Sequence, residues 1–182
     1  MKHVVALKDL ELKLISELMK NSRRSDRELA RVLGTSQPTV SRLINKLEKQ
    51  GVIKEYTMIP DFSQLGYSLL TVTFVKHTED LDPERLTEAE RKGVERARTE
   101  SSPETVMAER GIGFGYDAVI IAYEKDYTAY KQLLQRIKAF KHLEASETQS
   151  FLVDLKDKVH YRPFTYSTLA KHFLPTQKAE KE

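Results

Sequence analysis

Apolar positions in the first third of the chain recur with a helical period, and after it the spacing tightens toward that of strands. Leu10, Leu14, Ile15 and Leu18 predict a helix from about Lys8 to Lys20. A second helix opens with Ser25-Asp26-Arg27-Glu28, a capping box in which hydroxyl and carboxylate each satisfy an orphaned amide. Its buried stripe is Leu29, Ala30, Val32 and Leu33, and Gly34 follows where a helix end favours a left-handed residue. Ser36 then supplies the side-chain oxygen that starts a third helix, along which Val40, Leu43, Ile44 and Leu47 share one face. Gly51 ends it.

The weakly alternating, β-favouring stretch from Val52 to Ile59 predicts a strand that stops at Pro60. Residues 61–66, small and polar with Gly66 at the end, suit a hinge. Beyond it strands alternate with helices: a strand from Ser68 to His77, then a charged helix that Asp82-Pro83 starts and that runs to about Thr99, its thin stripe being Leu86, Ala89, Val94 and Ala97. Ser102-Pro103 breaks that helix. Strands over Thr105–Arg110 and Asp117–Tyr123 flank the glycine-rich turn from Gly111 to Gly115. Asp126 caps a helix with Tyr127, Tyr130, Leu133, Leu134, Ile137 and Phe140 on one face, and Ser150–Leu155 is the last strand.

The predicted fold is therefore α+β: an N-terminal three-helix helix-turn-helix domain, winged-helix-like, followed by a ferredoxin-like βαββαβ sandwich. Its boundaries fall at residues 1–60 for the helices, 61–66 for the hinge, 67–165 for the sandwich and 166–182 for a C-terminal extension with a disordered end. Two helices on one face of a sheet leave the other face bare. A second copy of the chain is the natural cover, so a homodimer or an assembly of dimers is expected.

Charge separates the two parts. Residues 1–60 hold 12 Lys+Arg against 7 Asp+Glu, whereas residues 61–182 hold 18 against 20, so the whole-chain net of +3 conceals a basic first domain. Such a domain is expected to meet phosphates. With no cysteine, neither a disulfide nor a thiolate nucleophile or metal site is available. The amino-terminal residues lack a signal-peptide apolar core, and no apolar run approaches the roughly 18 residues of a membrane span, so a cytoplasmic location and no membrane partner are expected.

Helix pairs of this kind place the first turn of the second helix in the major groove of double-stranded DNA. Gln37, Pro38 and Thr39 lie there, with Ser36 as the cap. Arg42, Asn45 and Lys49 continue the polar face and Ser41 and Lys46 flank it. Arginine can fork to guanine, glutamine and asparagine can pair with adenine, and hydroxyls serve base or phosphate. Arg23, Arg24 and Lys54 add candidate phosphate contacts, which position the protein without reading sequence.

The N-terminal pattern of Leu10 through Leu18, Glu28-Leu29-Ala30, Ser36, Val40, Ser41-Arg42, Leu47-Glu48, Gly51-Val52-Ile53 and Tyr56 resembles the Lrp/AsnC (leucine-responsive, feast/famine) family of prokaryotic transcriptional regulators. The resemblance spans almost the whole chain. It implies that the second domain dimerises and senses a small effector such as an amino acid between subunits. The family's hairpin, a glycine followed by residues ending in Tyr-Asp, is similar to Gly113-Phe114-Gly115-Tyr116-Asp117 here, with the glycines placed differently. Gly113, Gly115, Tyr116 and Asp117 are accordingly the candidate effector residues. The glycine run has two readings: amides that receive a carboxylate, or a tight hairpin that needs positive φ.

Other chemistry is scarce. His3, His77, His142, His160 and His172 lack the close spacings of zinc ligands, so no metal, cofactor or catalytic residue is expected. Siroheme decarboxylases share the architecture, yet the second domain has no arginine-rich cluster for several carboxylates, and Arg110 stands alone at the corresponding hairpin. A stand-alone effector-binding protein is a further alternative, opposed by the intact caps and basic outer face.

Overall fold

The computed structural model describes residues 5–78, 86–99, 102–139, 145–159 and 164–173. They form two compact units: residues 5–59 together with 164–173, and the described residues from Pro60 to 159.

In the first unit, helices α1 (Asp9–Lys20), α2 (Asp26–Leu33) and α3 (Gln37–Lys49) enclose Leu14, Leu18, Leu29, Ala30, Val40 and Leu47. Each helix end is closed locally. Ser25 Oγ accepts from the Glu28 amide at 3.3 Å while Glu28 Oε2 accepts from the Ser25 amide at 2.8 Å. Gly34 is left-handed at φ 64° and turns the chain toward Ser36, whose Oγ accepts from the Thr39 amide at 3.3 Å. At the end of α3, Gly51 (φ 67°) donates to Glu48 O and Val52 to Leu47 O, both at 2.9 Å, which is a Schellman closure.

That closure explains why the expected strand over Val52–Ile59 is absent. Val52 and Ile53 spend their amides on Leu47 O and pack on the helical core. From Lys54 to Ile59 no ladder partner exists among the described residues, and Tyr56, Met58 and Ile59 are exposed. Asp61–Gly66, expected to be a hinge, is a turn folded onto the second unit. Asp61 Oδ1 accepts from the Ser63 amide at 3.0 Å, and Phe62 stacks on Tyr123 with ring centroids 3.6 Å apart.

The second unit is a four-stranded antiparallel sheet of β1 (Leu69–His77), β2 (Thr105–Gly113), β3 (Tyr116–Glu124) and β4 (Ala145–Asp154), in the order β2-β3-β1-β4. With α4 (Glu88–Thr99) after β1 and α5 (Tyr127–Lys138) after β3, this is the ferredoxin-like βαββαβ arrangement. Helix α4 starts later than expected because Thr87 is its cap: Thr87 Oγ1 accepts from the Glu90 amide at 3.3 Å, and Glu90 Oε2 accepts from the Thr87 amide at 2.6 Å. Leu86 therefore precedes the helix; Asp82-Pro83 and the side chain of Ala97 lie outside the described residues.

Helix α5, capped by Asp126, buries Leu133 and Ile137 over Val75 and Ala122, and Tyr130 is buried as well. Tyr127, expected on that face, is 62% exposed because it opens the helix at the sheet's end, and Phe140 lies outside the described residues. Strand β4 begins at Ala145, earlier than expected, because it pairs along the full length of β1. The sheet face away from α5 carries Leu70, Val72, Phe74, Val119, Ile121 and Phe151 by strand alternation, and Phe151 is 67% exposed. A 3₁₀ helix, η1 (Leu169–Phe173), packs against α1 and so belongs to the first unit. The expected disordered tail, residues 176–182, lies outside the described residues.

Candidate DNA-binding face

The cap at Ser36 and Pro38 in the first turn fix where α3 begins and which way its first residues point. Gln37, Pro38, Arg42, Asn45 and Lys49 are exposed, with Ser41 half-buried beside them. Pro38, Ser41, Arg42, Asn45, Lys46, Lys49 and Gln50 line one open concavity along the helix. Ser36 and Thr39 are joined hydroxyl to hydroxyl at 2.8 Å, so both serve the cap. Arg23 and Lys54 are exposed at the margins.

Two of the candidate cations are already engaged. Lys46 Nζ donates to Glu11 Oε1 at 2.5 Å, tying α3 to α1, and Arg24 pairs with Glu17, which Lys20 also meets at 2.5 Å. Glu11 is wholly buried. Lys46 and the Lys8 amide, 2.8 Å from Glu11 Oε2, hold its carboxyl below the usual range. Burial alone would push the Glu17 carboxyl up, but Lys20 and Arg24 hold it down. Sequence reasoning missed both carboxylates, although Glu11 falls on the stripe of Leu14 and Leu18 at i, i+3 and i+7, a sign that it is buried and needs a partner. Tyr56 is another addition. Its phenol donates to Glu48 Oε1 at 3.0 Å, and partial burial together with that carboxylate pushes it up to about 12.

The four candidate effector residues meet at the β2–β3 hairpin. The two turn residues, Phe114 (φ 54°) and Gly115 (φ 82°), are both left-handed, as a type I′ hairpin requires. Gly111 and Gly113 are strand residues without positive φ, so the run needs less glycine than its composition suggests. Tyr116 Oη donates to Glu147 Oε1 at 2.9 Å, with Gln149 Oε1 a second acceptor at 3.2 Å, and Glu147 pushes the phenol up. Asp117 Oδ2 accepts from the His77 amide at 3.0 Å. Phe74 adds an aromatic wall, its ring centroid 6.0 Å from those of Phe114 and Tyr116. Phe74, Glu147 and Gln149 had no local signal, since strand pairing alone brings them here.

Among the described residues no group of three or more His, Cys, Asp or Glu could hold a metal ion, and no helix is long and apolar enough to cross a membrane. His3, His142 and His160 lie outside the described residues.

Residues 7–54 match the family model described as winged helix-turn-helix DNA-binding. The uncharacterized HTH-type transcriptional regulator PH0061 of Pyrococcus horikoshii is 30% identical over 149 residues, which span 78% of this chain and 94% of that protein. Two solved structures share the fold over nearly their whole lengths. LrpC of Bacillus subtilis superposes with a TM-score of 0.65 at 22% identity, covering 87% of this chain and 100% of its own. The regulator NMB0573 of Neisseria meningitidis, solved in complex with L-Met, gives 0.71 at 20% identity, covering 93% and 100%. The capped helix pair, the βαββαβ sheet and these relatives agree, and the chain belongs to the Lrp/AsnC family of DNA-binding transcriptional regulators.

Proposed function

We propose that the chain reads double-stranded DNA as one half of a symmetric pair, with α3 in the major groove. The observation that carries this reading is the division of labour on α3 and its approach: Arg24 and Lys46 are held by carboxylates of α1, while Gln37, Arg42, Asn45 and Lys49 point outward beside them. Gln37, Arg42 and Asn45 have the fork or amide geometry that base edges require. Ser36, Pro38, Thr39 and Ser41 shape the helix start, and Arg23, Lys49 and Lys54 meet phosphates.

The second half-site is served by a second copy, joined through the sheet face of Leu70, Val72, Phe74, Ile121 and Phe151. Its half-exposed apolar side chains support a cover of like chemistry. The hairpin takes an amino-acid effector in this reading. Glu147 beside Tyr116 suits an ammonium group, Phe74 and Phe114 an apolar side chain, and the amides around Gly113 and Gly115 a carboxylate, with Asp117 bracing the strand end. The neighbour solved with L-Met supports that class of ligand.

Binding of an upstream promoter fragment and of random DNA, compared at several salt concentrations, tests the reading. A preference for one fragment that persists as salt rises is expected; equal affinity for both at every salt sinks sequence-specific regulation.

A further inference from the structure

Helix α1 is covered on two sides. Leu14 and Leu18 face α2 and α3, whereas Ser16, two residues from each and so about 200° around the helix, is also wholly buried. The element from the far end of the chain, η1, packs against α1, and in it the small residue Ala170 is itself wholly buried. Two small buried residues on packed elements allow their backbones to approach closely. The fit leaves Ser16 Oγ buried with no hydrogen-bond partner among the described residues, a cost accepted where the packing is tight. The same helix grips α3 from its other side through Glu11 and Lys46.

The chain therefore leaves the first unit at Ile59, builds the sheet, and comes back to the first unit after β4. We propose that η1 is a strap on α1 that holds the DNA-reading helix α3 in place, so that DNA affinity depends on η1 staying seated. The inference rests on α3 being the reading helix. Loss of η1 would loosen α1, and through the Glu11–Lys46 pair the position of Arg42 and Asn45.

Hydrogen exchange on the full-length chain, read separately for α1 and α5, tests the strap. Ala170→Glu puts a charge into the buried contact, and Ala170→Gly keeps it small. With glutamate, α1 protection should fall about tenfold or more while α5 keeps its own, and with glycine both should stay near the parent values. DNA affinity of the glutamate variant should fall in step with α1 protection. Unchanged α1 protection, an equal loss in both helices, or a loosened α1 with undiminished DNA affinity would each overturn the proposal. Should the parent chain fail to prefer any DNA, the reading of α3 falls, and the exchange data still decide whether η1 clamps α1.

Discussion

The two units handle a buried carboxylate in opposite ways. In the helical unit Glu11 is wholly buried and paired with Lys46, and Glu17 is paired with Lys20 and Arg24. In the sheet unit Glu124 is equally buried, yet neither carboxylate oxygen has a partner among the described residues; burial and the nearby Glu104 push it up, Arg136 offsetting part of the rise. The pattern repeats at the surface, polar and charged on α3 but apolar on the outer sheet face. The helical unit pairs its buried carboxylates within the chain, whereas the sheet unit leaves one without a partner among the described residues.

The largest expected effect breaks the pairing in the helical unit. Lys46→Ala leaves Glu11 charged and buried, and thermal or denaturant unfolding should show a loss of about 3 kcal/mol. Adding Glu11→Leu should recover most of it, because removing both charges also removes the unpaired one; no recovery would mean that Lys46 acts through its stem packing. Phe151→Glu tests the sheet face. A charge at the centre of a copy-to-copy interface should weaken dimerisation by about 2 to 3 kcal/mol, seen as a lower mass by sedimentation at micromolar concentration. An unchanged mass would assign that face to another occupant.

Arg42→Ala should cost about 1 to 3 kcal/mol of discrimination between a preferred site and single-base variants, whereas Lys54→Ala should lower affinity evenly and reduce the salt slope. An even loss in both would remove Arg42 from base reading. The smallest effect is the most diagnostic of the contrast. Glu11 and Glu17 lie below their ordinary range, so their stabilisation is complete above that range and fades as pH falls through the lowered values. Glu124 lies above it, so its contribution is complete below the ordinary carboxylate range and is lost as pH rises through the raised value. Glu124→Gln should thus stabilise the sheet unit by about 1 kcal/mol at neutral pH and by less in acid. Unfolding curves across that range check the sign, and a stabilisation that ignores pH would mean that the Glu124 carboxyl is not raised in the folded chain.

Much of the fold was readable from local chemistry. Ser25, Gly34, Ser36, Gly51 and Asp126 stand at helix ends as their side chains or conformational freedom suggest. Where local reading failed, a competing bond had intervened: the amides of Val52 and Ile53 close α3 in place of starting a strand. The candidate DNA face was legible as a set of residues. Which of its cations are already spent was not, since Lys46 and Glu11 lie 35 positions apart.

By itself, then, the sequence determined the helix pair, its caps, the order of strands and helices and the basic character of the first domain. All of these follow from contacts within about four residues or from composition. Tertiary structure alone decided that Lys46 and Arg24 brace α1, that Tyr116 meets Glu147 and Gln149, that Glu124 stands without a partner, and that the far end of the chain returns to α1. These are encounters between distant segments, and packing sets them, because no local period encodes which buried charge finds a partner.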